Sequence, residues 1–555
     1  MLLAAAALAV YWGAWGFEFV NFDDEIALAG AERAGVDASS RASLIREVPS
    51  LFRYERGREY LPVRDASYVA DRILYGRLAP GGLHATNLAL HVANGLLVCA
   101  LATLLGISAV GALFAGGVFL LHPIQVEAVA WVSGRKDLLA AFFVLLSWHA
   151  FERRKPALSA IAFLAAGLSK ATVVFLPVVL VVSRALGGRS DPGRGDATRD
   201  DAAAAGPRIG RSLRDVAPHA VVAVAVAVLQ IRTSAEAGML REPGADGAIG
   251  AVVRAATLAV RYLRNVVWPV DLHLLYEPTL SSPTSLAAWG AAIGLALLAV
   301  IAARIGRERP PVPLGLAAFF LLLLPTLGLV PFQLLMADRY AYLPLAGLAI
   351  GAAALVDRTR ADAGRAAVAA RAARFVDRRA AALALLVPLA LVARAEVPAW
   401  RDSEALWKRE IARDPRHAEG WANLGEHYLA RGRAAEAADA LAQAATRRPD
   451  SVPILTNWAL AASRAGRHGE ALAAIASAKE RAPDDPLVRY NAACVRAAAG
   501  DVDGALEDLS EAILDGFRNR EALASDPDLA PLRADPRFSP LVAEFLPGDA
   551  RDDAR

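Results

Sequence analysis

The chain has 555 residues, 55% of them hydrophobic, and a mean hydropathy of +0.35, which excludes an ordinary soluble enzyme and points to a membrane protein. A formal net charge of +3 is too near neutrality to indicate a nucleic-acid partner. Two cysteines, Cys99 in an apolar run and Cys494 in a polar helical region, exclude a disulfide framework and a cysteine-built metal cluster.

Residues 2 to 18 carry no basic segment before their apolar stretch and run straight into "FEFVNF". They are expected to form a first spanning helix, with a cleaved signal peptide as the alternative. Asp23, Asp24 and Glu25 follow at once; three adjacent carboxylates repel one another and gain nothing from a bilayer.

Further apolar runs centre on residues 85 to 105, 108 to 121, 138 to 151, 157 to 169, 171 to 184, 216 to 232, 286 to 303, 314 to 332, 340 to 356 and 380 to 395. With the first helix they make about eleven expected spans, several of them short for the roughly 20 residues a bilayer requires. Placing the first residue in the cytoplasm puts "ERRKP", the arginine-rich stretch 183–215, "RIGRERPP" and the stretch 357–379 inside, as the positive-inside rule demands. The segment "AVVRAATLAVRYLRNVVWP" carries Arg254, Arg261 and Arg264 on one helical face and is expected to lie at the interface rather than cross.

Polar groups recur at the edges of these runs. His84, Asn87, His91 and Asn94 form one stripe on a helix, facing either a functional cavity or hydrogen-bond partners on neighbouring helices. In "HPIQVEAVAWVSGRKD", His122, Glu127, Arg135, Lys136 and Asp137 crowd one mouth; "GLSK" adds Lys170, and "ADRYAYLP" adds Asp338, Arg339 and Tyr340. On the expected topology Asp23, Asp24, His84, Glu127, Arg135, Lys170 and Arg339 all reach the outer face. A carboxylate there can act as general base on a hydroxyl while Arg and Lys stabilise charge on a departing phosphate, which suits a lipid-phosphate donor. No phosphate-binding Gly-x4-Gly-Lys-Ser/Thr loop is present.

From Trp400 a period appears. Gly432 and Gly466, Ala437 and Ala471, Ala444 and Ala478, and Pro449 and Pro483 are each 34 residues apart, the tetratricopeptide (TPR) period. Trp421, Leu424, Gly425 and Tyr428 occupy that repeat's positions, Gly500 and Ala505 continue it, and Trp407 and Pro415 belong to a partial repeat upstream. Stacked helix pairs make a solenoid whose groove holds a protein or peptide, or else a rigid spacer or self-association surface. Three regions are therefore expected: a polytopic membrane domain over 1–396, a TPR domain over 397–545 and a disordered tail over 546–555.

The order "FDDE", "YLPVRDASYVADRILYG", "GLHATNLALHVAN", "HPIQVEAVAWVSGRKD", "LSK" and "ADRYAYLP", followed by the repeats, resembles the transmembrane and TPR-containing O-mannosyltransferases and their bacterial relatives. The resemblance implies an all-α protein with a membrane domain of GT-C glycosyltransferase type followed by an α-solenoid. It implies an inverting transferase that moves a hexose, mannose first, from a polyprenyl-phosphate donor to hydroxyls on acceptor proteins held by the TPR groove. Asp23 would be the base with Asp24 as its partner, although "DDE" also permits Asp24 with Glu25. Arg135, Lys170 and Arg339 would bind the donor phosphate, and His84, Glu127, Lys136 and Tyr340 would position substrate. No metal or other cofactor is expected. The location implied is a bacterial inner membrane, with the N-terminus cytoplasmic and the repeats on the outer, periplasmic side. The alternatives are the same fold acting on a glycan or lipid acceptor, and a non-catalytic TPR scaffold for envelope proteins.

Overall fold

A computed structural model describes residues 1–33, 40–56, 59–187, 205–238, 247–276, 285–329, 334–357 and 383–545. Most of the two long arginine-rich stretches expected inside, and the expected tail 546–555, lie outside the described residues. Every regular element among the described residues is helical. The chain divides into two compact units, Met1–Asp402 and Ser403–Arg555.

The first unit corrects the expected count of eleven spans. Among the described residues, three helices are long and apolar enough to cross a bilayer: Pro80–Leu104, Arg214–Glu236 and Leu286–Ile305. Ala109–Leu121 and Pro123–Ala130, bent by 52°, make at most a fourth. The reason is length. The first apolar run forms only Leu2–Val10 before a 3-10 turn at Trp12–Gly16. Pro156–Ser169, Pro311–Leu323 and Pro344–Val356 each open on a proline and hold 14, 13 and 13 residues, about 20 Å of helix against roughly 30 Å of hydrocarbon. Proline is well placed at a helix start but stops the preceding turn from running on.

The membrane character of this unit rests on what its surface exposes. On Leu286–Ile305, Leu286, Trp289, Ile293, Leu297, Val300 and Ile301 are each more than half exposed, an apolar face that water would not tolerate. Pro311–Leu323 and Pro344–Val356 approach so closely that a Cβ on Gly315 would lie 2.3 Å from the Gly347 carbonyl oxygen. Such small-residue contacts suit helices packed in lipid. The arginine-bearing segment is the helix Gly247–Val267; its Leu258, Ala259 and Tyr262 are buried with Phe319, Leu323 and Leu345.

The polar stripe on Pro80–Leu104 ties helices together. His91 Nδ1 lies 2.9 Å from the Tyr342 hydroxyl and its Nε2 lies 3.1 Å from the Leu120 carbonyl. Asn94 donates to the Leu138 carbonyl (3.0 Å) and the Tyr342 hydroxyl (3.1 Å), and Asn87 donates to the Trp131 carbonyl (2.8 Å). The His91 imidazole and the Asn87 and Asn94 amide nitrogens are tolerable in this interior because they are satisfied in this way.

The second unit contains the helix pairs Ala418–Ala430 with Ala434–Arg447, Val452–Arg464 with His468–Arg481, and Pro486–Ala498 with Val502–Leu514. Each pair turns through a glycine at positive φ, Gly432, Gly466 and Gly500, a conformation that side chains disfavour. Ala437, Ala471 and Ala505 are fully buried, and a Cβ on Gly425 would meet Leu441 at 2.5 Å. The 34-residue period thus records where helices touch. A small core of Leu509, Leu529 and Leu532, with Tyr490 stacked on Phe517 at 4.2 Å, closes the end.

Candidate functional site

The stretch His122–Asp137 doubles back on itself, and the sequence dictates how. Pro123 cannot extend the preceding helix, so His122 is extended and its Nδ1 accepts from the Ile124 N–H at 3.1 Å. A short helix, Val126–Ala130, and a 3-10 turn, Val132–Gly134, follow before the helix Arg135–Glu152 begins. A Cβ on Gly134 would lie 2.2 Å from the Ala128 carbonyl oxygen, so only glycine permits this return. The bend brings Glu127, Trp131, Ser133, Lys136 and Asp137 to one mouth.

Of the acidic trio, Asp24 docks on that bend. Asp24 is buried at the start of the helix Asp24–Arg33, where a carboxylate is favoured by the helix dipole. It accepts the Ser133 hydroxyl (2.6 Å), the Ser133 N–H (3.0 Å) and the Val20 N–H (3.0 Å). Burial nevertheless pushes its pKa up to about 6, against the pull of Ser133 and Val20. On its other side Trp131 Nε1 donates to the Phe22 carbonyl at 2.9 Å, and the two rings lie 5.0 Å apart. Asp23, between these two anchored residues, is exposed with φ of 63°, and its carboxylate makes no hydrogen bond or ion pair among the described residues.

Three cations gather around Trp131 and Tyr340. The Arg339 guanidinium lies 5.1 Å from the Trp131 ring centre, 5.3 Å from Tyr340 and 5.7 Å from Phe22. Lys136 lies 6.0 Å from the Trp131 ring and Lys170 5.0 Å from the Tyr340 ring. Each has a carboxylate: Glu127 pairs with Arg339, and also accepts its N–H at 2.8 Å; Asp137 pairs with Lys170 at 2.5 Å; Glu59 sits 3.8 Å from Lys136. Buried charge without such partners would be strongly unfavourable. Asp338 turns the other way, accepting the Tyr276 hydroxyl at 2.7 Å.

Arg135 corrects an expectation. It is fully buried beneath this cluster, pairing with Asp71 at 2.8 Å and donating to the Leu83 carbonyl (2.9 Å), Ser67 (3.3 Å) and Asn87. A guanidinium so engaged braces helices and does not reach a phosphate. His84 is also buried, edge-on to Phe17 at 5.9 Å.

Sequence reasoning missed Glu59 and Arg64. Burial would raise Glu59, but Lys136 and Arg64 outweigh it and hold its carboxyl down at about 2; Arg64 pairs with it at 2.7 Å. Glu59 immediately precedes "YLPVRD", yet a single acid in a loop carries no pattern. Beside it a polar cavity of about 250 Å3 is lined by Arg33, Arg53, Glu59, Tyr60 and Asp65 among others. A second cavity of about 540 Å3 is apolar, walled by Val182, Ala259, Leu295, Phe320, Leu324 and Leu327 among others. The turn Ala171–Val173, directly after Lys170, packs against Leu324–Thr326, whose Leu324 lines that cavity.

The chain is similar to protein O-mannosyltransferases. It is 33% identical to protein O-mannosyl-transferase Tmtc2 of Drosophila melanogaster over 156 residues, 28% of this chain and 16% of that protein. It is 39% identical to protein O-mannosyl-transferase Tmtc1 of the same organism over 80 residues, 14% of this chain and 9% of that protein. The chain thus spans less than a fifth of the length of these relatives. No family model matches it. The crystal structure of yeast Tom70 aligns over 94% of this chain and 84% of that one at 11% identity, with a TM-score of 0.21, at which no common fold is shown.

Proposed function

We propose that the chain is a membrane glycosyltransferase that moves a hexose from a polyprenyl-phosphate donor to hydroxyl groups of acceptor proteins on the outer side of the membrane. The observation that carries this reading is the junction at Trp131. One face of its ring meets Phe22, next to the unbonded Asp23 carboxylate, and Arg339 lies beside both rings with Lys136 and Lys170 close by. The segment that carries the proposed base thus adjoins, through Phe22, the cations proposed to bind the phosphate.

Asp23 takes the proton of the acceptor hydroxyl as its oxygen attacks the anomeric carbon. The bond from that carbon to the phosphate oxygen breaks on the opposite face, which inverts the centre. Arg339, Lys170 and Lys136 exchange part of their pairing with Glu127, Asp137 and Glu59 for the departing phosphate, whose growing charge they stabilise. Asp24 holds the loop through Ser133. The apolar cavity suits the prenyl chain, since the turn that carries its lining residue Leu324 touches the segment after Lys170, and the polar cavity beside Glu59 has room for a sugar. The partial similarity to the two O-mannosyltransferases favours mannose.

Transfer by purified protein from a polyprenyl-phosphate hexose to a Ser/Thr peptide tests this. Asp23→Asn is expected to lower turnover by about 10²–10⁴-fold, the usual worth of a general base, with thermal stability unchanged. Turnover equal to wild type would remove Asp23 as the base.

A further inference from the structure

The three cations around Trp131 and Tyr340 are not held alike. Lys170 is bound by Asp137 at 2.5 Å, and Arg339 is paired directly with Glu127. Lys136 makes no hydrogen bond among the described residues, and its nearest carboxylate oxygen there, Glu59 Oε1, is 3.8 Å away. So loose a partner leaves this ammonium the readiest of the three to take a phosphate oxygen.

Glu59 also faces the polar cavity. Its Oε2 accepts from Arg64 at 2.7 Å, which fixes the side chain by one oxygen. Its Oε1 makes no hydrogen bond among the described residues, although an ionised carboxylate can accept several. The cavity of about 250 Å3 that Glu59 lines is lined as well by Gly30 and Arg33, from the helix that Asp23 precedes, and by Arg53 and Asp65. A sugar joined to a phosphate through its anomeric oxygen lies next to whatever cation holds that phosphate. Glu59 stands at this junction, beside Lys136 and on the wall of the cavity.

We infer that Glu59 is a specificity-determining residue that selects the sugar-loaded donor over the spent polyprenyl phosphate, by accepting a hexose hydroxyl on Oε1. A loaded donor gains that charge-assisted hydrogen bond, and Lys136 is left to its phosphate. A carrier without sugar gains neither: the Glu59 charge repels its phosphate and competes for Lys136. Sites built to bond a hydroxyl discriminate against ligands that lack it, and the repulsion acts against the wrong ligand at the same time. The spent carrier is thereby released once the hexose has gone. This deepens the proposed function, on which it rests, by assigning the choice between loaded and spent carriers to one carboxylate.

The test uses the full chain in lipid nanodiscs with no acceptor, so that binding is read apart from transfer. Farnesyl phosphate mannose, farnesyl phosphate and a set of monodeoxymannose analogues are titrated by calorimetry. Wild type is expected to bind the mannosyl ligand about tenfold or more tightly than farnesyl phosphate, and to lose that advantage with one of the deoxy analogues. Glu59→Gln should bind the mannosyl ligand more weakly and farnesyl phosphate more tightly, and should show no further loss with that analogue, as a shared contact requires. Glu59→Asp, which keeps a charge for Arg64 but withdraws it by one methylene, should lower the same ratio and covers the case in which Glu59→Gln fails to fold. The inference is overturned if the folded variants keep the wild-type ratio, or if wild type binds loaded and spent ligands equally. Wild type that binds neither ligand overturns the lipid-phosphate donor itself, whereas an unchanged ratio with binding intact overturns only the role of Glu59.

Discussion

Two neighbouring aspartates behave differently because their backbones point them differently. Asp23 has left-handed φ, a conformation costing on the order of 1 kcal/mol or more outside glycine, and its carboxylate faces outward. Asp24 faces inward to Ser133. Its carboxyl is raised from an ordinary 3.8 to about 6, so the folded state binds this proton more tightly than the unfolded chain. The stabilising contribution is complete below about pH 4 and is lost as pH rises through about 6. Wild type should therefore lose thermal stability relative to Asp24→Asn between those pH values, measured by melting in detergent at matched ionic strength; parallel curves would show that Asp24 is not the group that titrates. Arg135 and Arg339 repeat the lesson with cations: the first braces helices through Asp71, and the second stands over aromatic rings at the mouth.

At the scale of elements, the return of the chain between Pro123 and Gly134 holds the site together. Its close approach at Ala128 is backbone on backbone, which no rotamer change can relieve. Gly134→Ala is expected to cost about 2 kcal/mol or more, lowering the melting temperature and, by shifting Ser133 away from Asp24, reducing transfer as well. A variant that melts within about 1 °C of wild type would show that the bend is not rigid. The motif "HPIQVEAVAWVSGRKD" was legible as a crowded mouth from its charges. The part played by Trp131 was not, because an aromatic residue in an apolar run reads as core whether or not cations stand over it.

For the whole molecule, the proposed function requires the repeats on the side of the membrane where Asp23 opens. Glu480 is a highly exposed residue of the second repeat, so Glu480→Cys, in a protein lacking Cys99 and Cys494, should react with an impermeant thiol reagent on intact spheroplasts. Protection until lysis would place the repeats on the inner side and sever them from the site. Arginine placement between apolar runs orders loops by side, but it does not count spans. The runs 157–169, 314–332 and 340–356, read as spans, form helices of 14, 13 and 13 residues, too short to cross alone.

The sequence by itself determined the helical class, the apolar membrane part and the 34-residue repeat, because each is written in local periodicity and composition that the backbone must obey. It also brought Glu127, Lys136, Lys170, Arg339 and Tyr340 forward as charges and rings where lipid would reject them. Only the tertiary structure decided which of these meet. It drew Glu59 and Trp131 into the cluster, withdrew Arg135 from it and turned Asp24 inward. Those outcomes depend on contacts between residues from tens to more than two hundred positions apart, set by the packing of helices rather than by any spacing along the chain.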